Sequence, residues 1–244
     1  MEEKRKSRRI KINIWAAKAA DNWLRVAIIA IGLYAFLPFA APTLMKLGLT
    51  GPANILYTLY SPMCHQFAFR SVFLYGEQPF YPRDIAGTPY RSFESYAQDL
   101  PDVASPANSE DFSLDFILTA RSFTGNEQMG YKTTLCARDV AIYVALFIGA
   151  LIYTKVRHRL RPVPIWLYVI AGFLPIALDG FSQLLSYPPF LLWDVRETAP
   201  FFRVATGAMF GIMNAWLAFP YIDASMKDTA QQIREKLASV GIQV

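Results

Sequence analysis

The chain carries two thiols, Cys64 and Cys136, and each has a neighbour able to share its chemistry. His65 follows Cys64 directly. Asp139 stands three residues after Cys136, on the same face if that segment is helical. Thiolate, imidazole and carboxylate together are ligands for a transition metal such as zinc. Cys64, His65, Cys136 and Asp139 are therefore a candidate metal set, although adjacent residues diverge on a helix, so Cys64 and His65 would need irregular backbone to converge. The same two cysteines also allow a structural disulfide, which an oxidising compartment favours, a redox pair passing electrons to a quinone, or two inert thiols. Four-helix thiol oxidoreductases normally carry Cys-x-x-Cys, and this chain has none. Two cysteines exclude a closed four-cysteine zinc site and any multi-bridge disulfide framework within one chain.

A second group is ionic. Asp179 lies well inside an apolar run, with Ser182 and Gln183 one turn later, and an ionisable group there is by default a functional-site hypothesis with a partner to be named. Arg138 and Arg203 are the candidate partners; the plainer reading is an ion pair locking two helices, which by itself says little about stability. Arg70, Arg196 and Glu197 complete the polar residues expected at the same level. Gly207 and Gly211 form Gly-x-x-x-Gly, which suits close helix packing within the bundle or in a homodimer. Tyr57, Tyr60, Phe67, Phe69, Phe73 and Tyr75 read as interface anchors. His158, among arginines, reads as a neighbour of lipid headgroups.

What positions these residues is a membrane. Of 244 residues, 54% are hydrophobic and 18% charged, and a hydrocarbon core needs about 20 apolar residues per helical crossing. Four runs qualify, at about 25–45, 137–155, 163–185 and 202–222. No signal peptide is expected, since the basic start leads into a full-length apolar run without a small-residue cleavage pattern. Basic residues concentrate in short cytoplasmic loops. The segment Lys4–Lys11 and the knot Arg157, His158, Arg159, Arg161 therefore predict both termini inside, at the cell membrane, with the cysteines, Asp139, Asp179 and Arg203 near the outer face. The net charge of +5 is accounted for by that bias and by anionic headgroups, so nucleic acid is not an expected partner.

Residues 52–76 are apolar and aromatic. Their crossing would put the knot outside, so a re-entrant or interfacial pair of short helices, broken near Ser61-Pro62, is expected. Pro38 and Pro42 should kink or end the first span. Residues 77–134 form an external insertion with nine acids, four bases and many prolines, expected to be irregular, with partial order near Phe112–Thr119 and a mobile middle around Pro101–Glu110. Residues 1–22 suit an interfacial basic helix. In 224–244, Ile233, Leu237 and Val240 recur at helical spacing, which predicts a short amphipathic cytoplasmic tail.

Several strings carry a resemblance. Cys64-His65-Gln66 with Arg70-Ser71-Val72-Phe73, then Cys136-Ala137-Arg138-Asp139-Val140-Ala141-Ile142-Tyr143, resemble a family of predicted bacterial and archaeal integral membrane proteins. So do Asp179-Gly180-Phe181-Ser182-Gln183-Leu184 and Arg196-Glu197 with Arg203-x-x-Thr206-Gly207-x-x-x-Gly211. This is the domain-of-unknown-function family numbered twenty eighty-five, and the resemblance covers roughly 55–215. Members often have a second cysteine where this chain has Asp139, which turns a redox pair toward a mixed-ligand site or a disulfide. The insertion between Arg70 and Cys136 is also longer than in many members. The family implies no activity.

The expectation is an all-α polytopic membrane protein with four spans plus a re-entrant or interfacial segment. It would be a binding or accessory protein with a disulfide- or metal-stabilised outer cluster, working with membrane lipids, a larger membrane complex or a second copy. The alternatives are a metal-dependent or thiol-redox enzyme acting on a lipid or quinone, and a small transporter.

Overall fold

The computed structural model describes residues 2–98, 113–157 and 159–242, with side chains from residue 7 onward. The stretch around Pro101–Glu110 and His158 lie outside the described residues. Helix accounts for 67% of the structure. Helix α1 spans Glu2–Asp21 and α2 spans Trp23–Lys46. The short α3 is Thr50–Tyr60, β1 is Ser71–Leu74, and α4 (Phe93–Ala97) and α5 (Leu114–Ser122) lie in the insertion. Strands β2 (Gly125–Asn126) and β3 (Gly130–Cys136) lead into α6, Ala137–Val156. Helix α7 covers Ile165–Leu184, and α8 runs unbroken over Pro200–Ala238.

Among the described residues, three helices are long and apolar enough to cross a membrane: α2, α6 and α7. Prolines do not end α2. Pro38 cannot donate to the Tyr34 carbonyl one turn back, and the Tyr60 hydroxyl donates to that carbonyl instead, at 2.9 Å. In α7 the backbone widens to a π-turn over Tyr168–Phe173, immediately before Pro175, whose ring would crowd the preceding turn of a regular helix. The first half of α8 packs lengthwise on α6, and the Gly-x-x-x-Gly pair makes this possible. A Cβ on Gly211 would stand 2.3 Å from the Ile142 carbonyl oxygen, and one on Gly207 2.6 Å from that of Arg138.

Three expectations are corrected here. The chain is mostly helical as expected, but β1, β3 and β2 add a small antiparallel sheet in that order. The β-branched Thr133 and Thr134 favour the strand. Asn126 Oδ1 accepts from the amides of Gln128 and Met129, and Gly130 takes a positive φ of 74° to close the hairpin. Second, Phe67, Phe69 and Phe73 are not interface anchors. They are buried with Tyr81, Phe93, Tyr96, Phe116 and Met129 in an aromatic core of the insertion, while Tyr75 is exposed. Third, the tail is no separate helix. Helix α8 has 39 residues, about 58 Å at 1.5 Å each, and its second half carries the tail. There it packs on α1, with Arg234 paired to Asp21 at 2.5 Å. Helix α1 is thus a partner of α8, and only one side of it, with Ile12 and Trp15, stays exposed.

Residues 52–76 hold most of one α-helix, α3, whose 11 residues reach about 16 Å and cannot cross, and a three-residue 3₁₀ turn at Ala68–Arg70. At the bundle end away from the insertion, Arg157 is more than an orientation signal. It pairs with the buried Asp223 of α8, which also accepts from Trp23 Nε1 at 2.9 Å and pairs with Lys227 at 2.8 Å.

The close α6–α8 contact gives a direct test. Gly211→Ala is expected to lower thermal stability in detergent by about 1–3 kcal/mol. The control Gly51→Ala, where a Cβ meets nothing within 4 Å, should change it by less than about 0.5 kcal/mol.

Candidate functional site

The sheet register builds the site. Ser71 of β1 lies opposite Cys136 at the end of β3, so the turn carrying Arg70 is held against the start of α6. The loop after α3 returns to the same place, where the Cys136 amide donates to Cys64 Sγ at 3.3 Å. Cys136 is the residue preceding α6, and its thiol donates to Asp139 Oδ2 at 3.2 Å. Single ligand atoms of Cys64, Cys136 and Asp139 all lie within 4.8 Å of one another. His65 is not brought in. Its ring is exposed, 5.3 Å from that of Phe67, and it is not among the ligand atoms that converge with Cys64.

The thiols differ in character. The contact with Cys136, and then burial, push the Cys64 thiol up. The same contact holds the Cys136 thiol down, with Arg203 adding to the effect. Cys136 also stands at the positive end of α6, which favours thiolate.

The ionic group assembles beside this centre. Glu197, fully buried, accepts two hydrogen bonds from Arg70, Nε to Oε1 and Nη2 to Oε2, both 2.9 Å. Arg203 closes on the same carboxylate, and Tyr187 donates its hydroxyl to it. Gln183 Oε1 accepts from Arg203 at 2.8 Å and from Thr198 at 3.0 Å. Burial alone would raise the Glu197 carboxyl, but Arg70 and Arg203 hold it down to about 2. Burial, with Glu197 alongside, pushes Tyr187 up to about 12. Asp179 pairs with Arg138 and shares the single Thr198 hydroxyl proton with Gln183, its Oδ1 lying 2.9 Å from Thr198 Oγ1, and Arg196 Nη2 reaches it at 3.4 Å. Of the two expected partners of Asp179, Arg138 makes the contact, whereas Arg203 serves Glu197. Arg196, on the loop before α8, is an additional one.

Cys64, Cys136, Asp139, Arg70, Arg138, Asp179, Gln183, Glu197 and Arg203 thus meet at one end of the bundle, and His65 does not. Sequence reasoning missed Tyr187 and Thr198, which join the two carboxylates through Gln183, and it missed Lys132. That lysine is fully buried in β3, with Nζ donating to the carbonyls of Gln66 at 2.7 Å and Arg121 at 2.6 Å. Burial lowers it to about 7. The available signal was a charged residue on the inward side of a Thr-rich strand.

Comparisons with known proteins give a family likeness for part of the chain. The model of the family described as "Predicted membrane protein (DUF2085)" matches residues 118–217. That range holds Cys136, Asp139, Asp179, Glu197 and Arg203 but not Cys64, His65 or Arg70. An uncharacterised protein of Methanocaldococcus jannaschii, MJ1492, is 28% identical over 92 residues, which are 37% of this chain and 54% of that relative. The chain therefore matches about half the length of this relative. No solved structure matches. The chain is a membrane protein with several apolar helices, similar to a family without an assigned activity.

Glu197→Gln leaves two buried guanidiniums facing a neutral amide, so stability at pH 7 should fall by about 3–5 kcal/mol. Because the folded carboxyl sits below its ordinary 4.5, its contribution is present above that value and lost as pH falls toward about 2. Thermal melts in detergent from pH 7 to pH 3 should show the gap between wild type and variant narrowing only on the acid side.

Proposed function

We propose that this is a four-span binding protein of the cell membrane with both termini cytoplasmic. Its outer-face centre, Cys64, Cys136 and Asp139, holds a transition metal of the zinc class. The observation that carries this reading is the convergence of two thiols and a carboxylate to within 4.8 Å from a loop, a strand end and a helix start. Zinc accepts sulfur and oxygen ligands, and three protein ligands leave a fourth position for an exogenous group. Binding releases the thiol protons, which the helix start and Arg203 assist. The arginine–carboxylate network then serves as a rigid frame that fixes the ligands. The placement of α8 along α6 supports a fourth crossing by its first half. The basic residues Lys155, Arg157, Arg159 and Arg161 at the opposite end support the orientation.

A second reading has one observation in its favour. Cys136 is a thiol of lowered affinity for its proton, at a helix start, within reach of a second cysteine. That arrangement also suits a redox-active pair.

Elemental analysis of the full chain purified in detergent separates them. Stoichiometric metal is expected for wild type and for His65→Ala, with loss of more than half in Cys136→Ser and in Asp139→Asn. Alkylation without and with reductant is the companion measurement. Metal-free protein whose cysteines label only after reduction would replace the metal with a disulfide. Metal-free protein labelling fully without reductant would sink both readings.

A further inference from the structure

A cavity of about 590 Å³ opens between α3, α5 and β3, apart from the cysteine centre and its arginine network. Its lining includes Arg121 and Lys132 and no aspartate or glutamate. Among the described residues neither cation pairs with a carboxylate. The Lys132 ammonium lies beneath the floor, held by the two carbonyls, and Arg121 stands exposed at the wall. The Asn54 amide and the Thr124 hydroxyl also face the space and donate to no protein acceptor among the described residues. A cavity of this size suits a small molecule or headgroup. Arg121 at the wall, Lys132 beneath the floor and neutral donors around them, with no carboxylate in the lining, favour an anion.

The flanking helices say what the anion is attached to. On α3, Asn54, Thr58 and Ser61 turn to the cavity, while Ile55 and Leu59, four residues apart, are exposed on the adjoining stripe. On α5, Thr119 and Ser122 turn inward, and Leu114 and Leu118 are exposed beside them. A polar cationic hole is therefore rimmed on two sides by apolar side chains, on a chain whose spans hold it at a membrane. A soluble phosphate would need the hole and no rim; a phospholipid uses both.

We propose that this cavity binds the phosphate head of an anionic phospholipid, with Arg121 and Lys132 supplying the charge and Ile55, Leu59, Leu114 and Leu118 the contacts to its acyl chains. The site is independent of the metal reading, although it adjoins it. Ser61 and Arg121 also line a smaller recess that reaches Cys64 and His65.

The test is native mass spectrometry of the full chain released from mixed micelles of phosphatidylglycerol and phosphatidylcholine. Wild type should retain phosphatidylglycerol preferentially. Arg121→Gln should reduce that retention about tenfold, as expected for losing one charge-assisted contact, and Lys132→Met, which removes a charge beneath the floor but no direct contact, should reduce it by less. If Lys132→Met does not fold, the exposed Arg121 carries the charge test alone. Leu118→Ser should also weaken lipid retention, and Cys136→Ser should leave it intact whatever happens to the metal. Equal retention of the two lipids, or retention unaltered in Arg121→Gln, would overturn the proposal. So would displacement of the lipid by equimolar glycerol phosphate together with an inert Leu118→Ser, which would assign the cavity to a soluble phosphate.

Discussion

The carboxylate of Glu197 joins the two parts of this molecule. Arg70 belongs to the segment that packs against the insertion, on the turn that leads from the cysteine loop into β1. Arg203 belongs to the first turn of α8. Both close on one buried carboxylate, the first through two parallel hydrogen bonds. Fork-shaped pairing of this kind fixes orientation as well as distance. Without it the aromatic core of the insertion and the helical bundle would be connected mainly by the chain at residue 136 and by the α2 and α3 contacts. The cysteine centre lies on that seam, since Cys64 comes from the insertion side and Asp139 from α6, so its geometry follows from the same pair.

Burying such a group is costly unless every charge is met. The network includes four arginines, Arg70, Arg138, Arg196 and Arg203, and two carboxylates, Asp179 and Glu197. Gln183, Tyr187 and Thr198 satisfy much of what the acids leave over. One buried atom, Arg138 Nε, has no partner among the described residues. Cation rings add a further device, with Arg70 over Phe67 and Phe69 at 5.3 Å from each centroid. The interactions that hold the insertion down are therefore polar and specific, unlike the apolar packing that holds the helices to one another. Specificity of register is the natural use of such a group, because a one-residue slip of β1 on β3 would move Arg70 away from Glu197.

Much of this was legible in the chain. The positive-inside bias and the lengths of the apolar runs predict the polar residues at one level, and the structure brings them together except for His65. Asp179 was recognisable because an acid inside an apolar run demands a partner, and Arg138 answers it. The failures have a common physical cause. The aromatic residues of 57–75 were assigned to an interface because sequence alone does not distinguish a ring facing lipid from a ring facing another ring across a short insertion core. The sheet was missed because β2 has two residues and β1 four, too few for an alternating pattern to register. His65 was included by adjacency to Cys64, yet successive side chains need not point to one site, and its ring lies beside that of Phe67 instead. Lys132 went unnoticed because nothing in one strand shows that its inward side meets two backbone carbonyls.

The opposite end of the bundle repeats the device in smaller form. Asp223 gathers Trp23 from the start of α2, Arg157 from the end of α6 and Lys227 from its own helix. A buried acid thus clamps helix ends at both levels, while between them the helices approach through Gly149, Gly207 and Gly211 with no polar contact needed. Two clamps and a close α6–α8 contact hold the helices in register with one another. The insertion end is where the thiols, the carboxylates and the cationic cavity gather, since Ser61 and Arg121 of the cavity also line the recess that reaches Cys64.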